Sequence, residues 1–213
     1  MYCSGVSASV PASMISDSVG RFVSANLKSR YHLTNAIRRW EPRMSDLTSP
    51  VAAITAEPDS PGDLLARYGH GGALLRWAIE DLDAEALRAR PIAGKMSSLE
   101  VVCHIVDADQ FMCDRMKRTI ATDLPLLMGV ESVDYLEPLH YHDRDPGLDI
   151  RLLEIQREQM SADLTLLPSQ SWERTAIHSE VGTLTLVQLL AHAVRHLEAH
   201  TEAIAEKRKA MGL

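Results

Sequence analysis

The phrase LLAHAVRHLEAHTEAI, residues 189–204, places histidines at positions 192, 196 and 200. Imidazole is the commonest protein ligand for late divalent metals, so the spacing is worth reading as coordination chemistry. On an α-helix, residues four apart share a face and lie about 6 Å apart along the axis, so two such rings can converge on one ion. Residues eight apart are separated by about 12 Å, too far for both to reach an ion bound at about 2.0–2.1 Å. The three histidines therefore cannot share one ion.

The helical wheel chooses between the pairs. Leu186, Leu189, Leu190, Ala193, Leu197 and Ile204 define an apolar stripe; His200 falls within it, His196 on its edge and His192 well outside. The inward pair is His196 and His200. His192 is expected at the solvent boundary or behind the ligands. Two histidines rarely hold a catalytic metal without another protein group. Candidates for a third are His104, His178, and His140 or His142. His104 lies about 140° from the stripe of Val102, Ile105 and Met116, and periodicity alone does not elect it. A zincin protease is excluded: it needs H-E-x-x-H, and in H-L-E-A-H the acid Glu198 is one position too late. The chain has no G-x-S-x-G, Walker loop or G-x-G-x-x-G.

These residues need helices to position them, and the apolar spacing supplies four. Residues 63–82 repeat apolar side chains at three- and four-residue steps and are stopped by RPIAGKM, residues 90–96. Residues 97–120 open with Ser97 and Glu100 in capping-box spacing. Residues 149–167 end at Pro168, and a last helix over about 186–208 starts with Thr183 or Thr185 as its cap. Between the second and third helices, residues 123–147 contain three prolines, two glycines and no steady period. That is a long loop, expected to shape a site entrance. A turn at Gly182, with a short extended pair around it, precedes the last helix. The expected fold is all-α, a four-helix bundle with one long connection.

The 213 residues, 46% hydrophobic and 24% charged, suit one main domain. A net charge of -7 and an isoelectric point near 5.7 argue against nucleic acid or anionic membrane as partners. A small molecule is the expected partner. No apolar phrase approaches the roughly 20 residues of a membrane span. Three cysteines, at 3, 103 and 113, have no metal-finger spacing, which suits a reducing compartment, the cytoplasm. Residues 1–43 carry six basic residues against two acidic, a net charge of +4 that leaves -11 for the remainder. Residues 1–60 are expected to be a poorly ordered extension and linker, or in part the sequence upstream of a start at Met44, with one domain over 61–213.

Two longer phrases carry a family resemblance. LLARYGHGGALLRWAIEDLDAEALRARPIAGKMSSLEVVCHIVDAD has a glycine, a lysine and a serine ahead of a helix with one histidine. WERTAIHSEVGTLTLVQLLAHAVRHLEAHTEAI has a tryptophan, a glycine turn and two histidines four apart. In order and spacing they resemble the DinB/YfiT-like superfamily of metal-dependent four-helix-bundle proteins, over residues 62–213. The resemblance implies that His104, His196 and His200 are the metal ligands, leaving an open position. It implies zinc, nickel or a similar ion, and a homodimer. It also points to a low-molecular-weight thiol such as bacillithiol or mycothiol as cosubstrate of an S-transferase, because relatives include such enzymes and a thiol-dependent isomerase. Metal-dependent hydrolysis, or a non-catalytic metal-binding helical module, is the alternative. Arg157 and Tyr141 are candidates for lining the cavity, against plainer roles as a solvated helix charge and a loop anchor.

Overall fold

The computed structural model describes residues 59–213. The extension expected before the bundle, up to residue 58, lies outside them. The elements in chain order are helices α1 (Pro61–Ala78), α2 (Ala84–Arg88) and α3 (Ser98–Ala121), strand β1 (Leu126–Leu127), helix α4 (Pro146–Thr165), strands β2 (Thr175–His178) and β3 (Gly182–Thr185), and helix α5 (Leu186–Met211). The four long helices form the expected bundle; the sheet is minor.

Local chemistry sets the boundaries. Ser60 caps α1, its Oγ accepting the Asp63 N–H, and Pro61 occupies the first turn, where its missing N–H costs nothing. The helix stops at Ala78 rather than at residue 82, because Asp81 adopts a left-handed φ of 66° and Asp83 starts a new helix by accepting from the Glu85 and Ala86 N–H groups. Ser97 and Glu100 make the reciprocal capping box of α3, as their spacing predicts. Helix α4 starts three residues earlier than expected, with Asp145 as cap and Pro146 in the first turn. Thr185, not Thr183, caps α5 and shares a second capping box with Gln188. Gly212, at φ 79°, closes that helix with its N–H on Arg208 and Lys209 carbonyls.

Helix α1 packs on α4 and α5, and α3 packs on the same two from the opposite corner. Pairings along the helices give their directions. Arg67 meets Glu198 and Arg208 meets the Ala78 carbonyl, so α1 and α5 run parallel. Gly69 faces Ser161 and Arg76 bonds Glu154, so α1 and α4 are antiparallel. Arg174, just ahead of β2, donates its guanidinium to the Thr119 and Thr122 carbonyls while its own carbonyl accepts the Leu186 N–H, which sets the end of α3 beside the start of α5. Helices α3 and α4 therefore follow one another in the same direction. The chain between them must travel back a helix length, about 36 Å for the 24 residues of α3. That is the physical reason for the long connection.

The connection is less bare than its sequence suggests. It holds two 3₁₀ turns, Ser132–Tyr135 and Tyr141–Asp143, and strand β1, which pairs parallel to β2 while β2 and β3 form an antiparallel hairpin through Gly182. The hairpin was expected, the third strand was not. Among the described residues no helix is long and apolar enough to cross a membrane. Cys103 and Cys113 are free and buried.

One guanidinium ties the bundle together. Arg157 of α4, for which cavity lining and a solvated helix charge were both open, is 2% exposed and takes neither role. It donates to Asp109 Oδ1 of α3 at 2.6 and 3.1 Å, to the Tyr68 carbonyl of α1 at 3.1 Å and to the Ala193 carbonyl of α5 at 3.1 Å. Its charge also sits 4.3 Å from the centre of the Tyr68 ring. Gly71 makes the room: a Cβ there would stand 2.1 Å from Arg157 Nη1.

Candidate metal centre

His104 projects from the second turn of α3, and His196 and His200 from the middle of α5. Because α3 and α5 are antiparallel neighbours, the single histidine of one meets the pair on the other. One nitrogen from each ring lies within 4.8 Å of the others. The ring centres of His104 are 5.2 Å from His196 and 4.6 Å from His200, and those of His196 and His200 are 4.5 Å apart. His104 is buried, while His196 and His200 are half-buried. Among the described residues no fourth His, Cys, Asp or Glu joins the three.

The electrostatics keep these rings neutral. Burial pushes the pKa of His104 down to about 4, only partly offset by Asp107. Burial, with His104 and Lys207 nearby, takes His200 to about 3. His196 lies well below the usual value, first through burial and then through the neighbouring His200, His104, His192 and Arg157. Three neutral imidazoles that share a space without sharing protons are a ready donor set for a divalent ion.

Ser132, in the long connection, touches the set: its Oγ is 3.1 Å from His104 Nδ1, and both residues are 8% exposed. No hydrogen bond joins the His196 or His200 ring to another described residue. The hydroxyl thus occupies Nδ1 of His104 and leaves Nε2 as its other donor atom. Sequence reading singled out this connection but not Ser132, since nothing in its local pattern distinguishes it from other loop serines.

The remaining candidates lie elsewhere. His192 is half-buried with its ring 6.0 Å from that of His196, at the boundary where the wheel put it. Burial, with Arg115, His178 and Arg195 nearby, pushes its pKa down to about 4. His178 is buried in β2 with Nδ1 accepting the Glu180 N–H at 3.3 Å. His140 opens the second 3₁₀ turn in a left-handed conformation, and His142 Nε2 sits 2.7 Å from Glu100 Oε1. Tyr141 is the loop anchor: fully buried, it donates to Asp107 Oδ2 at 2.7 Å, where Arg144 also donates at 2.9 Å. This network holds the end of the connection on the His104 helix.

Fold and cluster together define a helical bundle with a three-histidine constellation between two of its helices. The DinB superfamily model matches residues 67–204, and the chain belongs to that superfamily. The solved structure of YfiT from Bacillus subtilis, described as a probable metal-dependent hydrolase with an unusual four-helix bundle topology, has a similar fold. It superposes with a TM-score of 0.69 at 22% identity, covering 73% of this chain and 91% of that one. No curated protein matches the chain.

Proposed function

We propose that the chain is a divalent-metal-dependent enzyme whose ion is held by His104, His196 and His200. The observation that carries the reading is the convergence of three neutral, largely desolvated imidazole nitrogens within 4.8 Å. The donor set fits zinc, nickel or a similar ion, for which imidazole is a suitable ligand. With all three ligands uncharged, a bound ion keeps its full double charge and would favour an anionic small molecule in its open position, holding a thiol as thiolate or lowering the pKa of a water.

The protein's part is to prepare those nitrogens. A ligand nitrogen at Nε2 requires the tautomer with the proton on Nδ1, and Ser132 Oγ, 3.1 Å from Nδ1, is placed to accept that proton. Burial holds the rings deprotonated at neutral pH, so no proton has to leave before an ion binds. The Tyr141, Asp107 and Arg144 contacts pin the connection against α3 and restrict water at the His104 end.

The reaction we favour is transfer involving a low-molecular-weight thiol, in keeping with the family resemblance and the uncharged ligand set. Hydrolysis is the second reading, favoured by the description of YfiT. Elemental analysis of untagged protein tests the site: about one divalent ion per chain, lost in His104→Ala, His196→Ala and His200→Ala, supports it, and a metal-free wild type after incubation with zinc or nickel overturns it. Cobalt-loaded protein separates the reactions. A sulfur-to-cobalt charge-transfer band on adding bacillithiol or mycothiol supports thiol chemistry, and its absence with both leaves hydrolysis.

A further inference from the structure

A second concave site lies farther along α3. Phe111 and Arg115 follow His104 by seven and eleven residues, which at 100° per residue returns each to within about 20° of its direction, at rises of about 10 and 16 Å. Together with Leu126, Met128 and Val130 of the long connection they line a cavity of about 140 Å³. The same connection roofs both places: Ser132 touches His104, and Tyr135, in the same 3₁₀ turn, stands edge-on to Phe111 with ring centres 5.7 Å apart.

The lining combines two guanidiniums, Arg115 and Arg118, and the Asp114 carboxylate with bare apolar surface. Arg115 donates Nη2 to the Met128 carbonyl at 2.6 Å, and among the described residues no carboxylate lies within ion-pairing distance of it. The other guanidinium at the cavity, Arg118, is taken by Asp114 at 2.8 Å. Two acids act on Arg115 through space without pairing with it: Glu180, its carboxylate packed over Gly129, and Asp114. Beside this cation, Leu126, Met128 and Val130 are 59%, 62% and 36% exposed. Large side chains left in water at the lip of a cavity mark a binding surface more often than scattered single ones do. A half-desolvated guanidinium with unused N–H donors suits a carboxylate, which can accept two of them at once.

We propose that this cavity binds a small amphipathic carboxylate, its charged end on Arg115 and its apolar body against Phe111, Leu126, Met128 and Val130. Extended along α3, the far end of such a ligand is directed toward His104. Binding in the cavity does not depend on a metal at the histidines.

Titration calorimetry of the metal-free protein with octanoate and with 1-octanol tests this. Octanoate should bind at one site at least tenfold more tightly than the alcohol. Arg115→Met should reduce that preference to within twofold while leaving the alcohol unchanged, and Met128→Ser should weaken both. Circular dichroism and zinc stoichiometry, unchanged in each variant, establish that the bundle is intact. In wild type, the 15Nε signal of Arg115 should move with octanoate and not with 1-octanol, a readout that survives if Arg115→Met does not fold. No octanoate binding, equal binding of acid and alcohol, or a preference retained in Arg115→Met overturns the proposal. So does displacement of octanoate by an equal concentration of inorganic phosphate, which would make the guanidinium a general anion site with an idle apolar wall.

Discussion

Replacing Ser132 with alanine should weaken metal binding about tenfold without removing it. The hydroxyl is the only described partner of His104 Nδ1, at 3.1 Å, in a place where both residues are 8% exposed. Losing it leaves a buried ring N–H unpaired and frees the imidazole to turn or to adopt the other tautomer, which would aim a proton at the cluster. Outer partners of metal-bound histidines are typically worth 10–100-fold in affinity. This bond is neutral and of ordinary length rather than charge-assisted, which places it at the lower end, about 1.4 kcal/mol. The assay is competition for zinc against a chromophoric chelator at pH 7.5, with nitrogen-15 chemical shifts of the histidine rings reporting the tautomer. Ser132→Thr keeps the hydroxyl and should bind nearly as wild type, while the melting temperature separates a local effect from general loosening. Zinc affinity within twofold of wild type in Ser132→Ala, or an equal loss in Ser132→Thr, would refute the reasoning.

His196→Ala should abolish stoichiometric zinc while leaving helical content by circular dichroism near wild type; a retained equivalent of metal would remove His196 from the ligand set. Stability of the metal-free protein should fall with pH. His104, His192 and His200 stay neutral in the fold down to about 4, 4 and 3, whereas in the unfolded chain they take up protons near 6.5. Between those values the unfolded state binds more protons, so acid favours it by up to about 1.4 kcal/mol per pH unit for each such histidine. Urea midpoints at pH 7.5 and 5.0 measure this; a flat profile, or a slope unchanged in His200→Asn, contradicts it. Arg157→Met should cost about 3–5 kcal/mol, since it strands the buried Asp109 carboxylate, and a loss below 1 kcal/mol by urea unfolding would show that water replaces the guanidinium.

The bundle was legible because its signals are local. Helix α5 alternates an apolar stripe with charged positions, so its wheel separates His196 and His200 from His192. Capping boxes at Ser97 and Thr185 depend on residues three apart. Helix α3 hides the placement of its histidine for a physical reason: from Leu99 to Asp109 every residue is buried, so no solvent face gives the wheel a reference and His104 could be singled out only by resemblance. The break after Ala78 was missed because Asp81 adopts a left-handed turn that its local pattern did not signal. Asp109 and Arg157 are 48 residues apart, and Ser132 reaches back 28 residues to His104. Such pairs exist only once helix directions are set, and a parallel α3 and α4 is not something periodicity encodes.

The Arg157 crosslink also bears on the order in which the molecule forms. It donates four hydrogen bonds to acceptors on three different helices, at sequence separations of 36, 48 and 89 residues, so the full set cannot form within one nascent helix pair. A guanidinium stripped of water before all three have arrived would be uncompensated, which makes its burial a late event, after the rate-limiting assembly. Interactions absent from the transition state govern how fast a protein comes apart rather than how fast it folds. The central arginine is thus a kinetic latch: its loss should leave the refolding rate almost unchanged and appear nearly whole in the unfolding rate.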